Sequence, residues 1–102
     1  MWLIHRRRRY TVSGSSMAPL LKPGQELLAD PHSRTSVGDI VVSLHPHRND
    51  VVLVKVLVGF DADGRALLEG LQPDESTDSR TFGGVSTQRL MGRVSSLLSR
   101  EP

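Results

Sequence analysis

A serine in a turn of small residues and a lysine inside an apolar run are the two side chains best suited to joint chemistry. Ser16 lies in the segment Ser-Gly-Ser-Ser-Met-Ala-Pro at 13–19, and Lys55 lies in the middle of the apolar run 51–58. A buried ammonium is costly, so an apolar site favours the neutral amine. A neutral lysine can remove the proton of a serine hydroxyl, which is a poor nucleophile until then. The pair therefore predicts a serine–lysine hydrolase.

Each of the two segments also has a simpler interpretation. A lysine in an apolar strand is often an edge residue that points to water and blocks aggregation. A Ser-Gly-Ser-Ser sequence is often only a turn. Alternation along a strand places Lys55 on one face with Val51, Leu53 and Leu57, and only valines on the other face. Because both faces are apolar, we expect a central strand that is buried on both sides at its middle.

Composition limits the chain to a small domain with an aliphatic core. Of its 102 residues, 37% are hydrophobic and only 4% are aromatic. Cysteine is absent, which excludes a disulfide framework and a thiolate metal site. The formal net charge is +2, and no apolar stretch approaches the roughly 18–20 residues that cross a bilayer. We therefore expect a soluble cytoplasmic protein with a basic N-terminal segment at 1–9 and one domain at 10–102.

Glycine and proline divide the chain into short stretches that favour strands. The pattern predicts strands at 10–13, 25–29, 39–44, 51–60, 65–69 and 92–98. It predicts a long loop at 70–84 and one helical turn within 87–91. Many short strands with so little helix are typical of a small all-β barrel or coiled β-sheet with at most one short helical turn.

Four sequence blocks occur in a fixed order. They are Ser-Met-Ala-Pro at 16–19, Gly-Asp at 38–39, Val-Lys at 54–55, and Ser-Thr-Asp-Ser-Arg-Thr-Phe-Gly at 76–83, with Met-Gly-Arg-Val following at 91–94. The arrangement resembles the type I signal peptidase family of serine–lysine proteases over roughly residues 12 to 94. The resemblance implies a signal-peptidase-like β-sheet fold and peptidase activity.

The resemblance also implies a role for each matching residue. Ser16 matches the nucleophile, whose backbone N–H would be one oxyanion donor, and Lys55 matches the general base. Ser76 matches a serine that orients the lysine amine. Asp78 and Arg80 match a buried pair that braces the site. The remaining motif positions are Met17, Pro19, Gly38 and Asp39.

Several positions depart from the family pattern. Lys-Val stands at 55–56 where the family commonly has Lys-Arg, and Gly-Leu-Gln stands at 70–72 where it commonly has Gly-Asp-Asn. Gly14 stands where some members carry a serine as the second oxyanion donor, so that donor is not identified. The sequence also shows neither the membrane anchor nor the large additional β-domain of many members, which argues against cleavage of exported precursors.

The sequence more narrowly resembles a short branch of the family without a membrane anchor. The members of this branch look like the maturation proteases of nickel-type superoxide dismutase. The shared features are Asp-Pro at 30–31, His-Pro at 45–46 and Leu-Glu-Gly at 68–70, besides the block at 76–83. The resemblance implies that the partner is a precursor protein, the nickel superoxide dismutase with its N-terminal leader. We predict no cofactor.

The histidines give a weaker signal. His45 and His47 would share one face of a strand and could form a metal-binding pair. No third ligand is near them in the sequence, and a proline lies between them. We therefore favour a solvated loop and predict no metal site.

The N-terminal segment combines apolar and basic residues. Trp2, Leu3 and Ile4 precede the run Arg6–Arg9, which could contact an anionic membrane surface. We favour a frayed basic terminus or the solvated start of the first strand. Nucleic acid is not a predicted partner, because aromatic residues for base stacking are too few.

Three other functions compete with a maturation protease. A reduced signal peptidase would cut exported precursors. A self-cleaving repressor-type domain shares Ser-Met, Gly-Asp and a strand lysine, but it needs a cleavage segment before the serine, where this sequence has only residues 1–15. A non-catalytic binding module with a basic arm would leave Lys55 in its apolar strand unexplained.

Overall fold

One antiparallel sheet organises the part of the chain that the computed structural model describes, which is residues 8–12, 14, 16–72 and 77–98. Its strands are β1 (Arg8–Thr11), β2 (Glu26–Asp30), β3 (Ile40–His45), β4 (Arg48–Phe60), β5 (Ala66–Glu69) and β6 (Leu90–Leu98). Their order across the sheet is β1-β2-β6-β3-β4-β5. The predicted all-β class is confirmed, and the six predicted strands all form.

Two short helical turns lie between β5 and β6 in the described residues. One is a 3₁₀ turn at Thr87–Arg89, within the predicted range. The other, α1 (Ser79–Phe82), lies in the segment that the sequence pattern predicts as loop. The side chain of Asp78 accepts a hydrogen bond from the backbone N–H of Arg80 and caps this turn. No helix in the described ranges is long and apolar enough to cross a membrane.

Three strands start earlier than predicted, namely β1, β4 and β6, the last of them at Leu90. β4 begins at Arg48 because the chain reverses tightly after β3, so that His45 pairs with Arg48. β1 begins at Arg8, and Arg9 lies 3.4 Å from a carboxylate oxygen of Glu26 on β2. Trp2, Leu3, Ile4, Arg6 and Arg7 lie outside the described residues.

The hydrophobic core consists of two clusters on opposite faces of the sheet. The first contains Val12, Met17, Leu21, Leu27, Ala29 and Val42. The second contains Val41, Leu57, Ala66, Leu68 and Val85. Consecutive strand residues point to opposite faces, so Val41 and Val42 of β3 assign one cluster to each face. Both faces of the sheet are therefore covered around β3.

Burial of β4 differs from the prediction outside its middle. Val56 packs against the first cluster and Leu57 belongs to the second, so both faces are covered there. However, Val52 is 44% exposed and Val58 is 41% exposed. β4 pairs with β3 along most of its length, but its pairing with β5 begins only at Val56. In the described part of the chain, the half of β4 before Val56 thus has an open edge.

Candidate active site

The structure brings Ser16 and Lys55 into direct contact. Ser16 lies in the turn between β1 and β2, and Lys55 lies on β4, 39 residues later in the chain. The Nζ atom of Lys55 donates a hydrogen bond of 3.0 Å to the Oγ atom of Ser16. The lysine is only 4% exposed. The serine is half-buried and lines a cleft. This is the geometry that proton transfer between the two groups requires.

Gly38 and Asp39 fix the position of β4 beside β3. The N–H of Gly38 donates to the carbonyl oxygen of Leu57 at 2.8 Å, and the N–H of Leu57 donates to the carbonyl oxygen of Asp39 at 2.8 Å. Gly38 has a φ of +98°, which strongly favours glycine. The register that follows places Lys55 opposite Val41. The Gly-Asp motif is therefore part of the framework that positions the lysine.

Burial determines the electrostatics of Lys55. Loss of hydration lowers the pKa of its amine below the ordinary value, because the charged form is the one that water stabilises. The carboxylate of Asp78 raises this pKa in part, and the guanidinium of Arg80 lowers it further. The net direction is downward, so the fraction of neutral amine near neutral pH increases.

Asp78 and Arg80 form an ion pair that is buried on its acidic side alone. Asp78 is 0% exposed, whereas the side chain of Arg80 is 39% exposed. The Nη2 atom of Arg80 lies 2.6 Å from Oδ2 of Asp78. Burial opposes ionisation of Asp78, but hydrogen bonds from the side chain of Arg80 and from the N–H groups of Gly70 and Arg80 outweigh it. They lower the pKa of Asp78 to about 2.

The turn that carries Ser16 is held by a segment that the sequence analysis did not assign to the site. The backbone N–H groups of Leu71 and Gln72 both donate to the carbonyl oxygen of Ser16, at 2.7 and 2.9 Å. The side-chain Nε2 of Gln72 donates to the carbonyl oxygen of Ala18 at 2.8 Å. The signal available in the sequence was that Gln72 stands where the resembled family commonly has another amide, asparagine.

The other motif positions near the serine have different environments. Met17 is 2% exposed and anchors the turn in the first core cluster, and its carbonyl oxygen accepts a hydrogen bond from the N–H of Leu21. Pro19 is exposed. Ser76, the predicted partner of the lysine amine, lies outside the described residues.

A cleft of about 310 Å³ contains both predicted reactive groups. It runs between β1 with the turn that follows it and the open part of β4. Its lining includes Tyr10, Val12, Ser16, Val52, Lys55 and Thr77. A larger depression of about 560 Å³ lies near Pro19 and Leu98 and contains neither the serine nor the lysine. The hydrogen-bonding geometry therefore assigns the smaller cleft as the candidate active site.

The histidine pair belongs to the turn between β3 and β4. The N–H of His47 donates to Nδ1 of His45 at 3.0 Å, and the ring of His45 packs edge-on against Phe82 at a centroid distance of 5.0 Å. The described residues contain no group of three His, Cys, Asp or Glu side chains that could hold a metal ion.

Comparison with known proteins supports the resemblance at a coarse level. No protein-family model matches the chain. The chain is similar to mitochondrial inner membrane protease subunit 1 of Xenopus tropicalis, with 31% identity over 105 aligned positions. The alignment covers 80% of this chain and 63% of that protein, so the chain spans about three fifths of its relative's length. The similarity supports a distant relationship to the signal peptidase-like proteases.

Proposed function

We propose that this chain is a serine endopeptidase of the signal peptidase-like type, with Ser16 as nucleophile and Lys55 as general base. The observation that carries the proposal is the contact of 3.0 Å between Nζ and Oγ, made by a lysine that is almost fully buried. The similarity to a subunit of a mitochondrial inner membrane protease supports a peptidase that processes precursors.

The reaction begins with the neutral amine of Lys55. In that state the hydroxyl of Ser16 donates its proton along the existing contact to Nζ. As the proton moves, Oγ attacks the carbonyl carbon of the scissile peptide bond, and the backbone N–H of Ser16 donates to the developing oxyanion. The lysine ammonium then gives its proton to the leaving amine as the C–N bond breaks. An ester between Ser16 and the N-terminal part of the substrate remains.

Hydrolysis of the ester uses the same base. The neutral amine of Lys55 removes a proton from water, and the resulting hydroxide equivalent attacks the ester carbonyl. The tetrahedral species collapses with release of the Ser16 oxygen, which recovers the proton from the ammonium. The products are a new carboxylate on the leader and a new amine on the mature protein.

The open edge of β4 offers a binding mode for an extended peptide. The half of this strand before Val56 borders the cleft, and among the described strands β3 alone pairs with it there. An extended substrate can add to such an edge through main-chain hydrogen bonds, with side-chain pockets supplying selectivity. Partly exposed Val52 at this edge would contact apolar substrate side chains.

The proposed substrate is the N-terminal leader of a precursor protein, most specifically that of nickel-type superoxide dismutase in the cytoplasm. The short-branch sequence features support this choice. Asp30 ends β2 before Pro31, and His45 ends β3 before Pro46. Leu68 and Glu69 end β5 before Gly70, which contacts Asp78. A second candidate is a reduced signal peptidase that cuts exported precursors, favoured by the membrane protease relative.

Incubation of the purified protein with both precursor types tests these functions. Intact-mass measurement should show removal of the superoxide dismutase leader by the wild type and no removal by Ser16→Ala. Cleavage of exported precursors alone would favour the reduced signal peptidase. Equal behaviour of the wild type and Ser16→Ala on every precursor would contradict a Ser16-dependent protease and favour a binding module.

A further inference from the structure

A continuous series of hydrogen bonds connects the Asp78–Arg80 pair to the serine turn. Both polar groups of the Gly70 backbone are held by this pair. Its N–H donates to Oδ2 of Asp78 at 2.8 Å, and its carbonyl oxygen accepts from Nη2 of Arg80 at 3.1 Å. The next two N–H groups along the chain, those of Leu71 and Gln72, then converge on the carbonyl oxygen of Ser16. The ion pair thus supports the serine turn as well as the region near the lysine.

We infer that the side chain of Gln72 is a positioning residue for Ser16, an inference that rests on the proposed function. The two backbone donors hold the turn at one atom, the Ser16 carbonyl oxygen, and any non-proline residues at 71 and 72 could supply them. The amide of Gln72 holds a second atom, the carbonyl oxygen of Ala18, at 2.8 Å. Because the carbonyl oxygens of Ser16 and Ala18 are both held, the turn cannot rotate freely about either atom.

The orientation of the Gln72 amide follows from its partner. A carbonyl oxygen is only an acceptor, so the group facing Ala18 must be the NH₂ end. A carboxylate in the same place would present oxygen to oxygen. The side-chain length would be unchanged, and the interaction would become repulsive.

Other contacts keep the turn folded when this one is lost. Met17 is buried in the first core cluster, and its carbonyl oxygen is held by the N–H of Leu21. Loss of the Gln72 amide should therefore move Ser16 by a fraction of an ångström and leave the domain folded. Attack on a carbonyl depends steeply on such distances, since a displacement of about 1 Å can cost about 100-fold.

The substitution Gln72→Glu tests the inference against a matched control. Gln88 is exposed in the 3₁₀ turn, and Gln88→Glu makes the same change of charge there. With a leader peptide as substrate, Gln72→Glu should lower kcat about tenfold and change KM by less than about twofold. Gln88→Glu should match the wild type in both. If Gln72→Glu does not fold, Gln72→Ala removes the donor without adding charge and should also lower kcat selectively.

Amide hydrogen exchange measured by NMR makes the result independent of turnover. The N–H groups of Leu71 and Gln72 should exchange faster in Gln72→Glu than in Gln88→Glu. If the wild type is active and the two variants have equal kcat, the positioning role is overturned and the protease proposal stays intact. The same holds if Gln72→Glu raises KM alone. If the wild type is inactive and the exchange of these N–H groups is still faster in Gln72→Glu alone, the protease proposal is rejected and the structural role is retained. Unchanged exchange would reject the structural role.

Discussion

The backbone N–H of Gly38 donates to the carbonyl oxygen of Leu57, and this bond extends the pairing of β3 with β4 that sets where the lysine lies. Lys55 is two residues from Leu57 on the same strand, so both side chains point to one face. A shift of the register by one residue would place the amine on the opposite face, away from Ser16. The Gly-Asp motif, which carries no reactive group in the proposed mechanism, therefore helps to position the contact between Lys55 and Ser16.

Replacement of the nucleophile is the first test. Ser16→Ala should fold like the wild type, because it removes one half-buried hydroxyl, and should lose nearly all endopeptidase activity. Ser15→Ala should retain most activity. Rates with a leader peptide and thermal unfolding of each variant provide the measurement. Loss of activity in Ser15→Ala but not in Ser16→Ala would show that the motif had been aligned one residue out.

Replacement of the base separates catalysis from stability. Lys55→Met keeps the length of the side chain and removes the amine, so activity should fall about 10²–10⁴-fold. The variant should be at least as stable as the wild type at neutral pH, because the buried amine no longer has to be desolvated. Failure of Lys55→Met to fold would contradict this and indicate a structural lysine.

The pH dependence of both properties follows from the lowered pKa of Lys55. Activity of the wild type should rise with pH as the buried amine loses its proton. Between the lowered folded-state pKa and the ordinary value of about 10.5, the unfolded chain binds more protons than the folded one. The stability advantage of Lys55→Met should thus be largest at low pH and shrink as pH rises through that interval. Denaturant unfolding at several pH values measures it.

Local chemistry and long-range geometry were not equally predictable from the sequence. Glycine and proline mark the strand ends, and the order of the motif blocks predicts Ser16 and Lys55 as a reactive pair. The pairing of β6 with both β2 and β3 joins distant parts of the chain, which no local pattern specifies. The exposure of Val52 depends on where pairing with β5 begins, and the role of Gln72 depends on a contact 54 residues away.

The ion pair near the site should contribute more than an exposed pair of the same spacing. Asp78→Asn replaces a buried carboxylate that accepts from Gly70 and Arg80, and one end of the new amide would face a donor. We expect a loss of about 2–3 kcal/mol in the free energy of unfolding. Asp63 accepts a hydrogen bond from Arg65 while its side chain is 76% exposed, so Asp63→Asn should cost less than about 1 kcal/mol.

Acid titration provides an independent check on Asp78. Its pKa is about 2 in the folded protein and about 4 in an unfolded chain, so its stabilising effect is complete above about pH 4. The effect is lost as pH falls through about 2. The difference between the wild type and Asp78→Asn should therefore shrink over this range in denaturant melts. A difference below about 1 kcal/mol at neutral pH would mean that the carboxylate is hydrated and does not brace the loop.

Gly92 should be intolerant of a side chain because β2 ends directly against it. A Cβ atom at this position would lie 2.9 Å from the carbonyl oxygen of Asp30 and 3.0 Å from its carbonyl carbon. These are backbone atoms, so relief requires movement of the strand end. We expect Gly92→Ala to lower the free energy of unfolding by about 1–3 kcal/mol. Gly59 is the matched strand glycine, since a Cβ atom there meets nothing within 4 Å. Gly59→Ala should be nearly neutral in the same denaturant melts, and equal losses at the two positions would show that the contact with Asp30 relaxes without cost.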